Sequence, residues 1–155
     1  MTQQRDTPGV IAPPPLIYLG GLAVGLVLDW ILPSASLPNG LSLPLGIALV
    51  ATGLALMSSF IGAFRRAGTA VPTRRETTAI VTSGPYRFSR NPGYMGMALV
   101  FSGIAVLAEA MWAFAALAVV LVVIRFGVIA REERYLERKF GEEYTRYKAR
   151  VRRWI

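Results

Sequence analysis

The stretch MWAFAALAVVLVVIRFGVIA, residues 111–130, is twenty residues long and carries one charge, Arg125. About twenty predominantly apolar residues are what an α-helix needs to cross the hydrocarbon core of a bilayer. Directly after it the character inverts, because residues 131–155 hold nine Lys or Arg and five Glu. Upstream, residues 92–108, 41–64 and 16–32 form three more apolar segments. Residues 1–15 are polar and proline-rich and read as a flexible tail. Arg5 is cancelled by Asp6 and further spans follow, so residues 16–32 read as a retained span and not a cleaved leader.

The whole chain has 155 residues, 54% hydrophobic and 17% charged, with a mean hydropathy of +0.46. Soluble domains carry nearer ~25% charge. Residues 65–91 hold Arg65, Arg66, Arg74, Arg75, Arg87 and Arg90 against one acid, Glu76. Residues 33–40 form an uncharged turn, and Glu109 sits alone in another. The positive-inside rule places the basic loop, the basic tail and both termini on the cytoplasmic side. The expected fold is an all-α integral membrane protein: a single membrane domain of four transmembrane helices, arranged as two hairpins, plus C-terminal amphipathic cytoplasmic helices.

Cysteine and histidine are absent. Disulfides, thiolate nucleophiles, the usual zinc ligand sets, His or Cys haem ligation, Ser-His-Asp triads and imidazole bases are therefore excluded. No metal site is expected. The net charge of +8 sits beside apolar spans, where anionic headgroups explain it better than nucleic acid does. The lipid bilayer is thus the first expected partner. Gly21 and Gly25 form a GxxxG of ordinary membrane packing, within or between chains, and the oligomeric state stays open.

Two constellations carry chemistry. In SGPYRFSRNPGYMG, residues 83–96, Gly-Pro marks a turn, Asn91 reads as an N-cap, and Pro92 stands at the first helical position. The exposed N–H groups of that helix start, with Arg87 and Arg90 just upstream, suit a carboxylate or phosphate. Arginines touching lipid phosphates are the alternative. The second constellation is Arg125 with Arg131-Glu132-Glu133. Arg125 and Glu132 are seven apart, on one face of a regular helix. Neither Glu132 nor Glu133 has a cation three or four residues away, whereas Glu142 and Glu143 have Lys139 and Arg146. The two glutamates, with no local cation, therefore look to the arginine loop or to a ligand. Residues 141–155, with Tyr144, Tyr147, Val151 and Trp154 among basic residues, read as a surface-docking amphipathic helix that can also help close a site.

The pattern Gly84-Pro85-Tyr86-Arg87-x-x-Arg90-Asn91-Pro92-x-Tyr94-x-Gly96 resembles the cofactor segment of the isoprenylcysteine carboxyl methyltransferase and phospholipid methyltransferase superfamily. Arg131-Glu132-Glu133-x-x-Leu136-x-x-x-Phe140-Gly141-x-Glu143-Tyr144-x-x-Tyr147 is similar to its C-terminal signature, and residues 64–69 to a helix-closing segment of small bacterial members. The resemblance covers residues 64–155. Many members have His where this chain has Asn91. Asn can hydrogen-bond but carries no charge near neutral pH.

The resemblance implies S-adenosyl-L-methionine as cofactor and a lipophilic or membrane-partitioned methyl acceptor. It implies that Arg87, Arg90, Asn91, Pro92 and Gly93 hold the methionine carboxylate, and that Tyr86 and Tyr94 line the pocket. Glu132 and Glu133 would accept hydrogen bonds from ribose hydroxyls or the ammonium, and Arg125 would orient the acceptor or pair with a glutamate. The expected activity is isoprenylcysteine carboxyl methyltransferase-like, in a bacterial inner membrane, with phospholipid N-methylation or small-thiol S-methylation as alternatives. A non-catalytic protein that binds anionic lipid or a partner is the alternative of another class.

Overall fold

The computed structural model describes residues 7–32, 40–71 and 76–155. The expected turn at residues 33–40 and the pair Arg74 and Arg75 fall outside them, Gly40 excepted. Six α-helices follow in order: α1 Pro14–Ile31, α2 Ser42–Ala67, α3 Pro92–Leu107, α4 Met111–Ile124, α5 Ala130–Phe140 and α6 Glu142–Arg150. A 3-10 turn at Gly84–Arg87 precedes α3, and a π-helical turn at Arg125–Ile129 joins α4 to α5.

Local chemistry sets the boundaries. Proline occupies the first turn of α1 and of α3, where a missing N–H costs nothing. Gly68, at φ 62°, ends α2: its N–H donates to the Arg65 carbonyl and that of Thr69 to Phe64. This double bond pattern needs a left-handed residue. Glu109 takes the same role after α3 at φ 53°, with Glu109 N–H bonded to Val106 and Ala110 N–H to Ala105.

Among the described residues three helices are long and apolar enough to cross a membrane: Pro14–Ile31, Ser42–Ala67 and the continuous Met111–Phe140. Helix Pro92–Leu107 is apolar but shorter, roughly 24 Å at 1.5 Å per residue. The exposed surface includes Leu19, Val24, Leu43, Ile47, Leu54 and Val119, while Tyr18, Phe101, Ala113, Val120, Ile124 and Val128 are buried together. Such an outward apolar face suits lipid and not water.

The packing corrects the first of the two expected hairpins, while α3 and α4 of the second do touch. α2 lies along α3 and α1 against α4, whereas the consecutive helices α1 and α2 form no such pair. The reason is the placement of small residues. A Cβ on Gly53 would sit 2.7 Å from the Gly96 carbonyl oxygen, and one on Gly103 2.8 Å from that of Gly46. The α2–α3 seam thus brings backbone against backbone at a seven-residue interval. The Gly21 and Gly25 pair packs inside the chain, against Val120 and Ala113 of α4.

The helix that holds the fourth apolar segment runs on past residue 130, through the charged residues, to Phe140. No proline interrupts it, and Gly141 at φ 52° ends it. Not all of residues 1–15 is a flexible tail. Pro8 is buried, Ile11 N–H donates to the Gly127 carbonyl at 3.4 Å, and Arg131 Nη1 donates to the Gly9 carbonyl at 2.7 Å.

Candidate functional site

The starts of α1, α3 and α5 and the end of α2 meet at one end of the bundle and enclose a cavity of about 760 Å³. That volume suits a ligand of cofactor size. Of the expected residues, Tyr86, Arg90, Asn91, Gly93, Tyr94, Glu132 and Glu133 line it together. Glycine at the second position of α3 leaves room there: a Cβ on Gly93 would lie 3.1 Å from the Phe60 ring.

The polar part of the wall is built from three helices. Tyr94 on α3 donates its hydroxyl to the Glu132 carboxylate, 2.8 Å from each oxygen. Tyr18 on α1 donates to the Tyr94 carbonyl at 2.9 Å, which fixes the first turn of α3. Arg90 Nη1 lies 3.1 Å from Glu133 Oε1, with both side chains about nine-tenths buried. The two are close but misaligned, so among the described residues Arg90 Nε and Nη1 make no hydrogen bond. Buried guanidinium donors left in this state are costly and mark a place where an acceptor belongs.

Tyrosines surround that arginine. Burial pushes the Tyr144 hydroxyl up to about 12, with Glu133 adding to the rise and Arg90 opposing it. Tyr86 and Tyr147 are also raised by burial, Tyr86 further by Glu132. All three stay neutral donors near pH 7. Tyr147 donates to the Tyr86 carbonyl at 2.8 Å and so ties α6 to the 3-10 turn. Phe60 and Phe64 pack around Tyr86 with ring centroids 6.2 and 5.7 Å away, bringing an aromatic cluster to the same cavity.

The remaining expected residues fall elsewhere. Pro92 is buried at the first position of α3 but does not line the cavity. Arg87 is exposed. Arg125 is exposed as well, with its guanidinium 5.5 Å from the Phe126 ring centroid, and it neither lines the cavity nor meets Glu132. The seven-residue spacing fails because the π-turn at Arg125–Ile129 inserts one residue into the helix. One extra residue turns everything beyond it by about 100°. Asn91 also departs from expectation. It stands at the N-cap position, yet its side chain makes no cap bond and instead donates through Nδ2 to the Arg153 carbonyl at 2.9 Å.

Tyr144 and Tyr147 line the cavity from the segment expected to help close a site, whereas Arg153, Phe60 and Phe64 were not legible as site residues. Their only local signal is the density of aromatic and basic residues in their segments. Among the described residues no group of three or more His, Cys, Asp or Glu is arranged to hold a metal ion.

The chain is 64% identical over 36 residues to an uncharacterized protein of Haemophilus influenzae. That stretch is 23% of this chain and 56% of the relative, so the chain spans little more than half of the curated protein it matches. No solved structure matches. The model of the phospholipid methyltransferase family matches residues 41–143, which include α2, α3, α4, α5, Arg90 and both cavity glutamates. On that match, the chain belongs to the phospholipid methyltransferase family.

Proposed function

We propose that this membrane methyltransferase uses S-adenosyl-L-methionine and that the cavity is where it binds. The observation that carries the reading is Arg90: a buried cation with two unpartnered donors, beside two glutamates, on the wall of a cofactor-sized cavity. A ligand bearing a carboxylate together with an ammonium and hydroxyl groups fits that donor and acceptor set. The chemistry that S-adenosyl-L-methionine supplies when bound is an electrophilic methyl group, which needs no protein nucleophile and so suits a chain without His or Cys.

The chain's own part is binding, orientation and exclusion of water. Arg90, with Asn91 and Gly93 at the start of α3, would receive the carboxylate, while Pro92 only sets the start of that helix. Glu132, oriented by Tyr94, would accept from the ammonium or the ribose hydroxyls. Phe60, Phe64 and Tyr86 would keep water from the reacting centre. Arg125 and Arg87, both exposed, would serve the headgroup interface and not the ligand.

The acceptor in this reading is lipophilic or membrane-partitioned: an isoprenylcysteine-like carboxylate, a phospholipid amine or a small thiol. The site would face the cytoplasm of a multi-pass inner-membrane protein, with Pro92–Leu107 as its fourth, shortest span. Isothermal titration of the detergent-solubilised protein with S-adenosyl-L-methionine tests the cofactor. Saturable binding is expected. Its absence in protein that remains helical would leave the non-catalytic, lipid-binding reading. Transfer of labelled methyl from the cofactor into membrane extracts then separates the acceptor classes.

A further inference from the structure

The polar wall is held by a residue that does not line the cavity. After α6 the backbone leaves helical geometry at Val151, φ −118°, and returns to the start of α3. There the Arg90 N–H donates to the Arg152 carbonyl at 3.0 Å, and Ser89 Oγ and Asn91 Nδ2 donate to the Arg153 carbonyl at 3.2 and 2.9 Å. The Arg153 guanidinium reaches back and grips Glu133 with both arms, Nε to Oε1 at 3.0 Å and Nη2 to Oε2 at 2.7 Å. This fork is the strongest geometry open to a guanidinium and a carboxylate. It raises the Arg153 pKa above its ordinary value.

Both Glu133 oxygens are therefore engaged by Arg153. Arg90 approaches the same carboxylate only with Nη1, out of alignment. Two guanidiniums compete for one carboxylate, and the competition leaves Arg90 short of partners.

We propose that Arg153 is a positioning residue: by occupying both Glu133 oxygens in a bidentate fork it limits Arg90 to one misaligned ion pair with that carboxylate and keeps the Arg90 Nε and Nη1 hydrogens available to an anionic ligand group. This rests on the cofactor reading above and deepens it, moving Glu133 from ligand contact to scaffold and leaving Glu132 as the ligand-facing acid. Without Arg153, Glu133 captures Arg90, and the donors the ligand needs are consumed inside the protein. The Asn91 and Ser89 bonds go to a backbone carbonyl and survive the substitution.

The test is titration of S-adenosyl-L-methionine into the full chain in detergent, comparing wild type, Arg153→Ala, Arg153→Lys and Arg153→Ala with Glu133→Gln. Trp154, packed against the core, reports through its emission that residues 151–155 stay docked, once Trp30 and Trp112 are replaced by Phe. Arg153→Ala is expected to weaken binding about tenfold or more. Arg153→Lys, which keeps the charge and loses the fork, should weaken it less. The double variant should bind more tightly than Arg153→Ala alone, because a glutamine holds Arg90 poorly. A merely structural role would make the double variant equal or worse, and that result overturns the proposal. Wild-type binding with Arg153→Ala within twofold overturns it as well and leaves the cofactor reading standing. Failure of wild type to bind removes both.

Discussion

The two ends of the helix bundle are closed by different means. At the cavity end, α3 starts beside Arg90, Glu132, Glu133 and Arg153, all partly or fully buried. At the other end, Ser42 Oγ donates to Glu109 Oε1 at 3.0 Å and Trp112 Nε1 donates to the Leu32 carbonyl at 2.7 Å. Those contacts are part-buried or exposed, and each pairs one donor with one acceptor. Only at the cavity end do the described residues leave buried side-chain donors without a hydrogen bond. The far end is finished by its own residues, whereas the near end keeps two buried Arg90 donors without a hydrogen bond among the described residues.

The substitution expected to break this contrast most strongly is Arg90→Ala. It removes the unpartnered donors and should abolish measurable S-adenosyl-L-methionine binding while the far seam keeps the protein folded. Arg90→Lys, retaining charge without a planar fork, should bind with reduced affinity. Glu132→Gln should cost ~1.5–3 kcal/mol of binding if it faces the ligand's ammonium. Wild-type affinity in all three variants would mean that the ends do not differ in the way described.

Next in size is the α2–α3 seam that holds the two ends apart. Gly53→Leu drives a side chain into the Gly96 carbonyl and Val100, so it should destabilise the protein by roughly 1–3 kcal/mol or more. Thermal unfolding in detergent reads this, and a melting temperature unchanged from wild type would contradict the close approach.

A smaller effect follows from Tyr144. Its hydroxyl ionises near 12 when folded and near 10 in the unfolded chain, so its neutral form is favoured by folding. That contribution is whole below pH 10 and is lost as pH rises from 10 to about 12. Tyr144→Phe should flatten this part of the stability profile, and an identical alkaline decline in both proteins would contradict the burial of the hydroxyl. Smallest is Ser42→Ala at the far end, which loses one part-buried hydrogen bond. Stability should drop by about 1 kcal/mol or less, with cofactor affinity unchanged.

Much of the near end is readable from residue order. The glutamates 132 and 133 lack local cations, and this absence points to the arginine loop or to a ligand; Arg90 of that loop approaches Glu133. The Asn91-Pro92 pair marks the start of α3 to the residue. Arg125 was misplaced because a regular 3.6-residue period was carried through a π-turn that no local residue type announces. Arg153 was missed because its role depends on the chain reversing after Arg150, which composition does not encode.

Sequence alone determined the apolar helices, the start of α3, and the basic character of the two stretches that meet at the cavity, since these follow from hydropathy, charge and local backbone preference. Tertiary structure decided which helices pair, where the π-turn swings Arg125 outward, and which of two guanidiniums holds Glu133. The physical reason is distance along the chain. Bonds between positions such as 90, 133 and 153 depend on how three separate elements pack, and no local rule counts across them.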